Sequence, residues 1–157
     1  MIHNGIDVEH YVDHYTSEEK KIYYGKATAF PSLITWLDCA PPCDRKKAHG
    51  DLLKAIANLR VAGLDIKCLF IGDGSERLRI EEAIKTMGLA QHVKITGFLA
   101  DARPAMATCN VMALVSHHVE TFSLAALEAM ALGKPMIMSE IGGAAEQVIH
   151  GEKWIPV

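Results

Sequence analysis

Two carboxylates, Glu120 and Glu128, stand eight positions apart in Glu120-Thr121-Phe122-Ser123-Leu124-Ala125-Ala126-Leu127-Glu128-Ala129-Met130-Ala131-Leu132. From Leu124 to Leu132 every residue except Glu128 is apolar. A helix that is apolar around its whole circumference is expected to be buried, and a buried carboxylate without a partner is strongly disfavoured. Glu128 is therefore expected to meet a buried base, a cluster of backbone donors or a ligand hydroxyl, and a structural ion pair is the plainest of these. Glu120 opens the same expected helix, where an acid complements the helix dipole. The amides of Thr121, Phe122 and Ser123 at that start also suit an anion. A diphosphate seated there would carry an attached sugar near Glu120. Eight helical residues rise about 12 Å, roughly the reach from that sugar to a ribose at Glu128.

The elements that must position these acids alternate along the chain. Residues 1–30 are polar, mixed in charge and rich in Tyr and His, and read as a lead-in segment. Residues 31–157 read as one α/β domain. Strands are expected at 33–37, 66–71, 92–96, 111–115, 135–139 and 154–157, and helices at 51–61, 75–87, 101–108, 121–132 and 144–149. Short apolar strands separated by helices define a Rossmann-like, doubly wound parallel sheet covered on both faces. Such a sheet binds ligands beyond the carboxyl ends of its strands. Gly72-Asp73-Gly74, Gly97-Phe98, Ser116 to Glu120 and Ser139 to Gly143 fall at those ends. Glycines there suit close approach of backbone amides to a phosphate, although turns alone also require them. The chain ends within a strand, which points to a truncated C-terminus.

Composition narrows the function. Half the residues are hydrophobic and the net charge is −3, a globular profile that argues against a nucleic-acid partner. Cys39, Cys43, Cys68 and Cys109 have neither zinc nor thioredoxin spacing and read as reduced thiols of a cytoplasmic protein. No apolar run is long enough to span a bilayer. His117 and His118 precede Glu120 and read as loop residues, and no metal site is expected.

Glu120 and Glu128 resemble the paired glutamates of the retaining glycosyltransferases of family 4, the group 1 glycosyl transferases. The resemblance extends to Asn4-Gly5-Ile6-Asp7, to Leu69 through Arg77, and to Val93 through Phe98. It continues through Gly133-Lys134-Pro135, Ile141-Gly142-Gly143 with Glu146, and Gly151-Glu152, all in the family's order. It implies one half of a GT-B fold, the half that binds a nucleotide-diphosphate sugar as donor substrate, with no further cofactor. On the matching positions, Glu128 would bind the donor ribose and Glu120 the transferred hexose. Thr121, Phe122 and Ser123 would present amides to sugar or phosphate, Gly72 and Gly74 would line the rim, and Gly97 and Phe98 would flank the base. Lys47 matches the lysine that neutralises the leaving diphosphate.

Two departures stand out. Where the family carries an arginine shortly before that lysine, this chain has Asp38 and a longer loop, so either Arg45 supplies the charge or the diphosphate site is impaired. The acceptor-binding N-terminal domain, the expected partner and the part through which any peripheral membrane association would come, is absent. The chain alone is expected to bind donor weakly and to transfer nothing measurable. Two other readings share some of these features: a non-catalytic, degenerate module for assembly or regulation, and an enzyme resembling the UDP-sugar 2-epimerases. A dinucleotide dehydrogenase fits poorly, because Gly72 and Gly74 lack a third glycine in register.

Overall fold

The computed structural model describes residues 7, 32–36, 48–117, 123–147 and 154–156. Among them, six strands form one sheet: β1 (Ser32–Trp36), β2 (Lys67–Ile71), β3 (Val93–Ile95), β4 (Val111–Leu114), β5 (Met136–Met138) and β6 (Trp154–Pro156). The helices are α1 (His49–Val61), α2 (Arg77–Thr86), α3 (Arg103–Ala107), α4 (Leu124–Ala131) and α5 (Ala144–Gln147). The spatial order is β3-β2-β1-β4-β5-β6, and every neighbouring pair is parallel. This is the expected doubly wound arrangement. The chain runs outward from β1 to β3, returns to the middle, and runs outward the other way from β4 to β6. The switch point lies between β1 and β4.

The strands are short apolar runs because both faces of the sheet are covered. In β2, Cys68 and Phe70 face one core while Leu69 and Ile71 face the other. Ala113 of β4 joins the first core, and Met112 and Leu114 join the second. This is the two-residue period of a strand. The first core is closed by Leu52, Leu53 and Ile56 of α1 and by Ile80 and Ile84 of α2. The second is closed by Ala105 and Met106 of α3, Ala126 and Ala129 of α4, and Ala144 of α5.

Two expectations need correction. The helix expected over 121–132 begins at Leu124, because Ser123 has extended backbone (φ −77°, ψ 120°) and serves as N-cap. Four helical steps separate the first helical residue, Leu124, from Glu128, a rise of about 6 Å, and the expected reach from Glu120 lies outside the described residues. The same helix is not buried all round. Ala126 and Ala129 are fully buried, but Leu124 is 48% exposed and Glu128 is half-buried. Leu124 is the exposed residue of this helix, and Ala125, Leu127, Glu128, Met130 and Ala131 are partly buried. Glu128 keeps part of its hydration, and its burial does not by itself demand a buried base.

The lead-in segment, apart from an exposed Asp7, lies outside the described residues, as do Cys39 and Cys43. Cys68 and Cys109 are free and buried. Burial, and secondarily the neighbouring Cys109, pushes the Cys68 thiol up. Among the described residues no helix is long and apolar enough to cross a membrane, and no group of side chains is suited to hold a metal ion.

Candidate functional site

All six strands are parallel, so their carboxyl ends share one edge of the sheet. At its centre the entrance of α1 and the exit of β4 are tied together. The Ala48 amide donates to the Val115 carbonyl at 3.0 Å. In the first turn of α1, Asp51 pairs with His117 Nε2 at 2.9 Å and with Lys54 Nζ at 3.0 Å. Lys54, by hydrogen bond and charge, and then His117 hold the Asp51 carboxyl below its ordinary range. His49 is buried, with its ring 5.7 Å from that of Phe70. Beside this brace a cleft of about 390 Å³ opens between α1 and α2. Glu76 and Arg79, which line it, form their own ion pair.

On the β2–β3 side, the structure brings Gly72, Gly74, Gly97 and Phe98 to the edge together. Gly72 and Gly97 form an antiparallel bridge, and the Gly72 amide is shared between the Gly97 carbonyl and Thr96 Oγ1, each at 3.2 Å. Both glycines have positive φ, 114° and 73°, a region that side chains disfavour. A Cβ on Gly97 would lie 3.1 Å from Arg77 Nη1. That guanidinium bridges Asp73 and Glu81, at 2.8 Å each. The Gly74 amide donates to Asp73 Oδ1 at 2.9 Å. The amides of Gly72 and Gly74 are thus engaged within the chain, and the Gly74 carbonyl accepts from the Arg77 amide at 3.2 Å. Phe98 is 75% exposed, a large aromatic surface at the rim.

On the β4 side, the switch point leads to the start of α4. Ser123 Oγ accepts from the Ala126 amide at 3.3 Å, the N-cap bond. The expectation that the Ser123 amide awaits an anion is corrected: it donates to Gln147 Oε1 at 2.9 Å. Leu124 and Ala125 occupy the first-turn positions whose amides a helix does not itself use. They replace Ser123 as the described backbone donors at this end. No acidic residue stands in the first turn of α4. Glu128 lies one turn further along the same helix. Arg45, Lys47, Glu120, Thr121 and Phe122 lie outside the described residues. The first two fall in the chain between β1 and α1 and the other three between β4 and α4, the connections that flank the switch point.

Sequence reasoning missed Gln147 and the bracing of α1 by Val115 and His117. Nothing in the pattern Ala144-Ala145-Glu146-Gln147 singles out the glutamine, whose role appears only when α5 packs beside the start of α4. The pairing of His117 with Asp51 crosses between elements 66 residues apart in sequence, beyond the reach of local patterns.

A parallel sheet wound on both faces, with a polar rim at its switch point, defines a Rossmann-type ligand-binding domain. The chain belongs to the glycosyl transferases group 1 family, whose sequence profile matches residues 42–156. It is 34% identical over 102 residues to the N-acetyl-alpha-D-glucosaminyl L-malate synthase of Bacillus anthracis, covering 65% of this chain and 26% of that protein. It is 33% identical over 121 residues to the GDP-mannose-dependent alpha-(1-6)-phosphatidylinositol dimannoside mannosyltransferase of Mycobacterium tuberculosis, covering 75% of this chain and 30% of the relative. The chain thus spans between a quarter and a third of the length of these relatives. The crystal structure of Anabaena HepE in complex with UDP and glucose superposes with a TM-score of 0.80 at 27% identity, covering 98% of this chain and 41% of that one. The C-terminal domain of a group 1 glycosyl transferase from Francisella tularensis has the same fold, with a TM-score of 0.74 at 22% identity over 98% of this chain and 80% of that domain.

Proposed function

We propose that this chain is the donor-binding portion of a retaining glycosyltransferase that moves a hexose from a nucleotide-diphosphate sugar to an acceptor. The observation that carries the reading is the switch-point geometry. The start of α4, with no acid in its first turn, stands beside the braced entrance of α1 on a sheet of the family's fold. Relatives named for GDP-mannose and for glucosaminyl transfer, and a similar structure holding UDP and glucose, support this donor class.

In this reading the diphosphate sits at the start of α4, where the Leu124 and Ala125 amides and the helix dipole meet its charge. Thr121 and Phe122 add amides from the preceding connection. Lys47, with Arg45 in place of the family arginine, faces the diphosphate from the β1–α1 connection. As the bond from the anomeric carbon to the diphosphate oxygen breaks, negative charge grows on that oxygen. Fixed cations and amides stabilise it without reorganising. Glu128 takes the ribose hydroxyls, Glu120 contacts the transferred sugar, and the base lies along Gly97 and Phe98, with Gly72 and Gly74 behind. The acceptor enters from an N-terminal partner domain, so the chain alone binds donor weakly and transfers nothing measurable. The buried thiols Cys68 and Cys109 support a cytoplasmic setting.

Calorimetric titration with UDP, GDP and ADP tests the reading. At least one should bind at millimolar concentration or better, and Glu128→Ala should weaken that binding by about tenfold, the loss of one charge-assisted hydrogen bond. No binding by any of the three would overturn the reading, as would equal binding by the variant.

A further inference from the structure

Gln147 makes two hydrogen bonds of opposite sense to a single residue. Its Oε1 accepts from the Ser123 amide at 2.9 Å, and its Nε2 donates to the Ser123 carbonyl at 2.9 Å. A carboxamide carries a donor and an acceptor on one carbon, and the two partners fix which way round it sits. The pair joins α5 to the N-cap of α4 across 24 residues of sequence, in half-buried surroundings. Ser123 is therefore held at both its backbone N–H and its C=O, which belong to the two successive peptide groups on either side of it, while its hydroxyl caps Ala126.

Such a grip has a purpose at this place. The eight residues of α4 make little more than two turns, and short helices fray at their ends. The fully buried side chains of α4 are the alanines Ala126 and Ala129, which offer little apolar area to hold its first turn in place. The Leu124 amide shares a peptide plane with the Ser123 carbonyl that Gln147 holds, and the Ala125 amide follows one residue on in the same turn.

We infer that Gln147 is a positioning residue for the donor: it fixes the backbone of Ser123 on both sides, so that the Leu124 and Ala125 amides that open the helix stay aligned on the diphosphate. This rests on the donor reading above. Gln147 itself touches no ligand and acts through Ser123. Its influence therefore falls on the phosphates and spares the nucleoside.

The test compares Gln147→Met, which keeps the length and removes both hydrogen bonds, with the unsubstituted 157-residue chain. UDP is titrated beside uridine, and GDP beside guanosine. For the diphosphate that binds, the variant should lose about tenfold in affinity, while affinity for the matching nucleoside stays the same. Gln147→Asn, a carboxamide one methylene too short to reach both atoms, should show the same selective loss and serves if the methionine variant does not fold. Unchanged diphosphate affinity would overturn the inference, and so would equal losses for diphosphate and nucleoside, which mark a merely structural role. Failure of the unsubstituted chain to bind either diphosphate would instead sink the donor reading, and this inference with it.

Discussion

The two helices that begin beside the switch point are held by opposite means. The entrance of α1 has no side-chain cap. It is fixed by packing, with Leu53 and Ile56 fully buried, and by the backbone bond from Ala48 to Val115. Its positive end already faces a carboxylate of its own chain, Asp51. The entrance of α4 has the reverse: alanines inward, a serine cap, a glutamine grip, and no acid in the first turn. A helix end whose dipole is met by its own side chain has less to offer an external anion. In the donor reading proposed above, the contrast makes α1 the scaffold helix and α4 the helix that meets the ligand.

The largest expected effect sharpens that contrast. Leu53→Ala removes a fully buried side chain from the α1 core and should cost about 2–5 kcal/mol. Ala129→Gly, at a fully buried position on α4, should cost about 1 kcal/mol. Urea denaturation of the two variants measures the difference, and equal midpoints would break the comparison. Next comes Gly97→Ala on the α1–α2 side of the rim. Its φ of 73° is disfavoured for a side chain, and its new Cβ would press on the Arg77 guanidinium held by Asp73 and Glu81. A loss of about 1–2 kcal/mol is expected, read as a lowered melting temperature. Adding Arg77→Ala should relieve the contact and leave the backbone strain.

The difference between the two entrances also marks what the sequence makes legible. The strands and α1 follow from short apolar runs and a helical stripe, local patterns that the covered sheet enforces. The sequence also places Gly72 and Gly97 at strand ends. It does not reveal that their peptides bond to each other, because that pairing joins two loops 25 residues apart. The run Leu124 to Leu132 misleads in a specific way. Apolar composition reports what a helix tolerates on each side, whereas its burial depends on what packs around it: in α4 only Ala126 and Ala129 are fully buried, and Leu124 is exposed. Ser123 is readable as a cap from its type, yet the capture of its amide by Gln147 depends on where α5 packs.

Removing the cap is the next smaller perturbation. Ser123→Ala deletes the bond to the Ala126 amide and should cost about 1 kcal/mol. Ser123→Asp should retain most of that stability by restoring an acceptor at the same place. If both variants lost stability equally, the hydroxyl would not be acting as a cap, and the α4 entrance would be held by Gln147 alone.

Asp51→Asn should produce the smallest effect. The Asp51 carboxylate is exposed, and its partners Lys54 and His117 are as open to water as it is, so solvent screens the pairs. Its pKa is lowered from the ordinary 3.8, first by Lys54 and then by His117. A carboxyl group whose folded value lies below its unfolded value contributes stability above the unfolded value, and that contribution disappears as pH falls through the folded one. The melting temperature of Asp51→Asn should therefore fall slightly below that of the unsubstituted chain at neutral pH, converge with it in strongly acidic buffer, and converge again at neutral pH in high salt. The shift should be well below that of Leu53→Ala. A shift of equal size that persisted in acid would mean that α1 is fixed at its entrance by something other than packing, and the division between a scaffold helix and a ligand helix would no longer hold.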